Sequence, residues 1–107
     1  MPGNVEDLTV EQVKAGVDAG EIVLVDVREP HENTAERIPG GFLNALQSFD
    51  PAALPDPGGK RLVLYCRSGR RSVTASELAQ RAGLPFDAHM AGGILAWKEA
   101  GFDTESG

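Results

Sequence analysis

Residues 61–72, Arg61 to Ser72, read RLVLYCRSGRRS, and the order of their parts decides the architecture. Arg61–Tyr65 is an apolar run of strand composition, nearly continuous, as expected of a strand covered on both faces. Cys66 follows at once, then a short loop carrying Gly69, Arg67, Arg70 and Arg71. From Ser72 the period changes: Ala75, Leu78, Ala79 and Ala82 share one helical face, and Gly83 stops the pattern before Pro85. A helix thus follows a strand directly.

The same alternation extends in both directions. Upstream, Ile22–Val27 (IVLVDV) is a second apolar, β-branched run between Gly20 and Pro30. Before it, Thr9 and Gln12 have the form of a capping box, and Val10, Val13 and Val17 continue at helical spacing until Gly20. The residues between the two runs hold Pro39-Gly40-Gly41, a short strand at Phe42–Asn44, Asp50-Pro51 as a helix start, and a turn at Pro55–Gly59. Downstream, Phe86–Met90 alternates as a last short strand, and Gly92-Gly93 opens a helix that ends at Gly101. Strands and helices of these lengths in alternation predict an α/β fold of three layers, a central mainly parallel sheet with helices on both faces. The first ten to twelve and the last five residues read as frayed ends, apart from a short strand near Val5.

A chain of 107 residues suits one domain, 1–107, with its core at about 8–102. The net charge of −6 argues against a nucleic-acid or anionic-membrane surface, since both need a broad basic face. The N-terminus carries no basic or long apolar segment, so no export signal or membrane span is read there. One cysteine cannot form an internal disulfide, which agrees with a reducing cytoplasm. We expect a monomer serving a small anionic ligand.

In an open parallel sheet ligands bind outside the carboxyl ends of the strands. Arg28–Glu32, Cys66–Ser72 and Ala91–Gly93 should converge there. Loop amides and the positive end of the following helix favour an anion, and so do the arginines. Such surroundings lower a cysteine pKa from about 8.5 toward roughly 3.5 to 7.5 and keep a nucleophilic thiolate at neutral pH. Gly69 permits the tight curl. A buried structural thiol is the competing reading, but it leaves Gly69 and three arginines as accidents.

Four segments, LVDVREPHE at 24–32, RIPGG at 37–41, LVLYCRSGRRS at 62–72 and AGGILAWKEAGF at 91–102, resemble in order and spacing the single-domain rhodanese family. The resemblance implies a thiosulfate sulfurtransferase with no metal or organic cofactor. Cys66, first in a six-residue loop, would accept sulfane sulfur as a persulfide and pass it to cyanide or a thiol. Arg67, Ser68, Gly69, Arg70, Arg71 and Ser72 would bind the donor. Thiosulfate fits the cationic loop better than mercaptopyruvate. Phosphatase and arsenate-reductase relatives carry a loop one residue longer, which disfavours that chemistry. A persulfide relay loaded by a partner protein and a non-catalytic binding or regulatory module remain as alternatives, with a thiol or protein acceptor in the first.

The pattern departs from the family at Asn33, where an aromatic is common, at Glu36 and Arg37, where Gly-His is common, and at Gly41. Asp26 and Arg28 are expected to brace the active loop from behind. Glu29 and Glu32 should point outward, away from an anionic donor. His31 and His89 lack metal-ligand spacing and are expected to be solvated and uninvolved. Trp97, at helical spacing from Ile94, should anchor the last helix in the core.

Overall fold

A computed structural model describes residues 4–107. Five strands, β1 (Glu6–Leu8), β2 (Ile22–Asp26), β3 (Phe42–Leu43), β4 (Arg61–Tyr65) and β5 (Ala88–Met90), form one sheet in the order β1-β5-β4-β2-β3. Every neighbouring pair is parallel. The helices are α1 (Val10–Asp18), α2 (Pro30–Ala35), α3 (Arg70–Arg81) and α4 (Gly93–Glu99), with 3-10 turns at Leu46–Ser48 and Pro51–Ala53. Among the described residues no helix is long and apolar enough to cross a membrane.

Strand alternation divides the core in two. Leu24, Val63, Tyr65, Ala88 and Met90 pack with Val10 and Val13 of α1 and with Ile94 and Trp97 of α4. Val25, Val27, Leu62, Leu64 and Cys66 face the other way, against Ala75 of α3 and the partly buried Leu46, Phe49, Leu54 and Phe86. Helices therefore cover both faces of the sheet, as predicted, and Trp97 is the expected anchor: its indole N–H donates to Asp103 O at 2.9 Å. Phe86 departs from the predicted alternation, since it joins the α3 side while Ala88 and Met90 join the other.

Several boundaries move for identifiable reasons. The strand near Val5 is β1, which adds to the sheet edge in register with β5, so the N-terminal region is ordered from Asn4 onward; Met1–Gly3 lie outside the described residues. Nor are the last five residues frayed. Arg37 and Glu105 exchange backbone hydrogen bonds, and Gly107 N–H reaches Thr34 O. The helix start read at Asp50 is a single 3-10 turn, with the Asp50 carboxylate accepting from Ala52 N–H at 3.0 Å as a cap should. Helix α3 begins at Arg70 rather than Ser72, because Gly69 at φ 103° turns the chain into it two residues earlier. Likewise α4 ends at Glu99, two residues before the glycine expected to stop it. Helix α2 was not anticipated, although its signs are present: Pro30 at its first position and Glu32 accepting from Glu29 N–H at 3.0 Å.

Candidate active site

The carboxyl ends of β2, β4 and β5 bring the three expected segments to one edge of the sheet. Cys66 leaves β4 with a side chain only 1% exposed, at the floor of a loop that closes into α3. Gly69 N–H donates to Cys66 Sγ at 3.1 Å, and Ser72 Oγ lies 3.6 Å from it. Burial pushes the thiol up, but the Ser72 hydroxyl and the amides of Ser72, Gly69 and Ser68 outweigh it, and the net shift is downward. The cysteine sulfur is thus surrounded by hydrogen-bonding groups, the Ser72 hydroxyl first and the loop amides after it. The arginines named in its sequence are not its main support.

The loop is held open from the other side by α4. Ile94 N–H donates to Cys66 O at 2.9 Å and Leu95 N–H to Arg67 O at 3.2 Å. Turning those two carbonyls toward α4 turns the following amides toward Sγ. The approach requires Gly93: at φ 61°, a Cβ there would stand 2.3 Å from Arg67 O and 2.5 Å from Cys66 O. The glycine pair therefore brings backbone against backbone beside Cys66, as its sequence predicted.

The three arginines are not equivalent. Arg67 and Arg70 are exposed. Arg71 instead makes a bidentate pair with Glu32, at 2.7 and 3.0 Å. Glu32 does not point outward as expected; it turns in because α2 sets it beside the loop and a guanidinium is there to receive it. Hydrogen bonds from Arg71 are the chief reason its carboxyl is pushed down to about 2, against the opposing effect of burial. Between these groups a cleft of about 310 Å³ opens, lined by Arg28, Glu32, Glu36, Arg67, Leu95 and Lys98 among others.

Asp26 and Arg28 are almost wholly buried, at 1% and 4% exposure. Arg28 Nε and Nη2 grip the Asp26 carboxylate at 2.9 and 2.7 Å, and Nη2 also donates to Glu36 O at 2.6 Å. The pair braces the segment after β2, not the cysteine loop; its link to that loop runs through α2 and Glu32. Asn33 explains its own departure from the family pattern, because its amide donates to Asp26 Oδ2 at 3.0 Å. Glu36 and Arg37 are likewise occupied. Glu36 accepts from Lys98 and Thr104, while Arg37 pairs with Glu105. The segment that lacks Gly-His is therefore tied to α4 and the C-terminal residues.

His31 is exposed, as expected. His89 is not solvated: it is 4% exposed, with Nδ1 at 2.9 Å from Ser72 Oγ and Nε2 at 2.6 Å from Asp7 Oδ1. Sequence reasoning missed it because β5 becomes an inner strand only once β1 pairs beside it. The available signal was parity. With Ala88 and Met90 on one face, His89 had to face the side that carries Cys66.

The chain is similar to several known proteins. A sulfurtransferase of Allochromatium vinosum is 31% identical over 84 residues, covering 78% of this chain and 78% of its own. The thiosulfate:glutathione sulfurtransferase of Saccharomyces cerevisiae is 29% identical, covering 94% and 83%. An uncharacterized protein of Synechocystis is 43% identical over 78% of the chain, which spans only 46% of that relative's length. A solved structure from Rhodopseudomonas palustris, described as a possible tyrosine phosphatase, superposes with a TM-score of 0.78 at 33% identity over 94% of this chain and 85% of its own. The model of the rhodanese-like domain matches residues 9–100, and this chain belongs to that family.

Proposed function

We propose that residues 1–107 act as one sulfurtransferase domain, with its core at about 8–102, and that sulfur travels as a persulfide on Cys66. The observation that carries this reading is the Gly69 N–H on Cys66 Sγ at 3.1 Å, with Ser72 Oγ 3.6 Å away, at the carboxyl end of β4. The thiolate attacks the sulfane sulfur of a donor. With thiosulfate, a sulfur–sulfur bond forms at Cys66, the bond to the sulfonate breaks, and sulfite leaves with both its charges. The persulfide keeps one negative charge, spread over a terminal sulfur that loop amides can bind. A thiolate or cyanide then attacks that sulfur, and Cys66 leaves as thiolate. Neither step moves a proton.

Arg67 and Arg70 are the free cations on the donor's approach, and their attraction for a dianion weakens with salt. Arg71 is engaged by Glu32, so its share is smaller than its sequence position suggests. That engagement also counts against phosphoryl transfer, which needs a guanidinium around the equatorial oxygens. The kinship with the Saccharomyces enzyme supports a thiosulfate donor and a thiol acceptor.

A relay between proteins is the second reading. Leu95 is 40% exposed and its amide sits on Arg67 O, so an apolar contact lies at the mouth of the loop, where a protein donor or acceptor would dock. Intact mass after treatment with thiosulfate tests the first reading: one sulfur is gained, cyanide removes it, and Cys66→Ser gains none. No gain at any thiosulfate concentration would discard thiosulfate. Loading by a protein persulfide alone would then establish the relay.

A further inference from the structure

His89 is a buried titratable group that sulfur transfer, as written above, does not use. It lies between Asp7, its register partner on β1, and Ser72, in the first turn of α3. A carboxylate only accepts hydrogen bonds, so the contact at 2.6 Å to Asp7 Oδ1 fixes a proton on Nε2. The other nitrogen then has two states with opposite consequences. Neutral His89 offers Nδ1 as an acceptor and takes the Ser72 hydroxyl proton, leaving Cys66 to be a thiol donating toward Ser72 Oγ. Protonated His89 donates from Nδ1, which frees the Ser72 hydroxyl to donate to a Cys66 thiolate 3.6 Å away.

We propose that Asp7, His89 and Ser72 form a proton relay that takes the thiol proton from Cys66 and holds the nucleophile as one half of a thiolate–imidazolium pair. The exchange balances internally. The S–H proton passes to Ser72 Oγ as the hydroxyl proton passes to His89 Nδ1, one S–H bond breaks, one N–H bond forms, and net charge is unchanged. Asp7 favours the product because its carboxylate faces the new imidazolium from the sheet edge. His89 and Asp7 are positioning residues; Cys66 alone meets the sulfur donor.

The other groups around the ring leave this chain intact. Across the register on β4 stands Leu64, and from the loop Gly69 lies close enough that a Cβ there would meet the ring at 3.7 Å. On α3 the facing group is Ser72, while Arg71 is turned to Glu32. Glu6 on β1 and Asp87, just before β5, are drawn to Arg61.

The inference takes Cys66 to be the nucleophile, as in the proposed function, but its test needs no donor or acceptor. Cys66 is the single cysteine and His31 the only other histidine. The thiolate can therefore be followed by ultraviolet absorbance against a Cys66→Ser blank, and His89 by the NMR shift of its ring proton. In the wild type the two titrations are expected to be coupled, each stepping where the other does. Asp7→Asn should leave about tenfold less thiolate at mildly acidic pH, the equivalent of one pKa unit, and Asp7→Glu should restore it. Ser72→Ala should uncouple the two signals. His89→Asn should reduce the thiolate curve to one step. Asp7 is at the sheet edge with its side chain 73% exposed, so its variants test the relay without opening the core. A wild-type thiolate curve in both Asp7→Asn and His89→Asn would overturn the relay, even if Ser72→Ala moves it.

Discussion

Two loops leave the same edge of the sheet, one after β2 and one after β4, and each buries an ionisable side chain. The Asp26 carboxylate is met by charge: the guanidinium of Arg28 covers both its oxygens, with Asn33 as a further donor. The Cys66 sulfur is met by dipoles, from Gly69 N–H and its neighbours. A guanidinium clamp uses up the lone pairs of its anion and makes a fixed point of the structure. Loop dipoles engage the sulfur with no guanidinium directly on it, so its lone pairs are not used up in a salt bridge. One sheet edge thus yields a charge-clamped brace and a cysteine loop held by dipoles from the same starting geometry.

The difference is sharpest when the thiol and the clamp are each broken by one substitution. Cys66→Ser is expected to abolish sulfur loading altogether, while leaving thermal stability close to that of the wild type, because the hydroxyl keeps the hydrogen bonds of a small buried group. Mass spectrometry and a melting curve check the two halves. Breaking the clamp should do the reverse. Arg28→Ala strands a buried carboxylate and is expected to cost about 3–5 kcal/mol, the usual effect of removing one member of a buried pair. Urea denaturation measures it; a cost under about 1 kcal/mol, that of an exposed pair, would mean that the clamp is not the brace described.

Gly93→Ala probes the amide ring without touching the sulfur. A methyl group would run into Arg67 O and Cys66 O, with the backbone already at positive φ, and strain of this kind costs on the order of 1–3 kcal/mol. The loop carbonyls would have to rotate off α4, carrying the amides away from Sγ. The loading rate with thiosulfate should therefore fall by more than stability does. Equal losses would make Gly93 a packing residue only.

How much of this contrast was legible in the sequence follows from how local each part is. The cysteine loop is a contiguous stretch, bounded by an apolar run and a helical period, so strand, loop and helix could be read together. Gly92 and Gly93 were legible because close backbone approach has a residue signature. The clamp was half legible: Asp26 and Arg28 are two positions apart, but their third partner, Asn33, looked like a defect in the family pattern until α2 brought it round. His89 was read wrongly because its burial depends on β1, a three-residue edge strand with little pattern of its own. Glu32 was read wrongly for an electrostatic reason. An acid beside an anion site opposes it, unless a cation is there to be shared.

That shared cation is the smallest effect, and the place where the two loops touch. Glu32 lies on α2, which follows the β2 loop, and Arg71 in the first turn of α3, which follows the cysteine loop, so their pair joins the brace to the Cys66 segment. Its folded-state pKa lies below the ordinary carboxylate value, so the stability it adds is present above that value and is lost as pH falls from 4.5 through about 2. Glu32→Gln should flatten acid unfolding across that window. It should also free Arg71 to face the donor. Because a partly exposed pair contributes about 0.2–1 kcal/mol, the KM for thiosulfate should drop by at most about fivefold, with a steeper dependence on salt. A KM that rises instead would show that Arg71 serves the donor only when Glu32 holds it in place, and the two loops would then form one site rather than a site and its support.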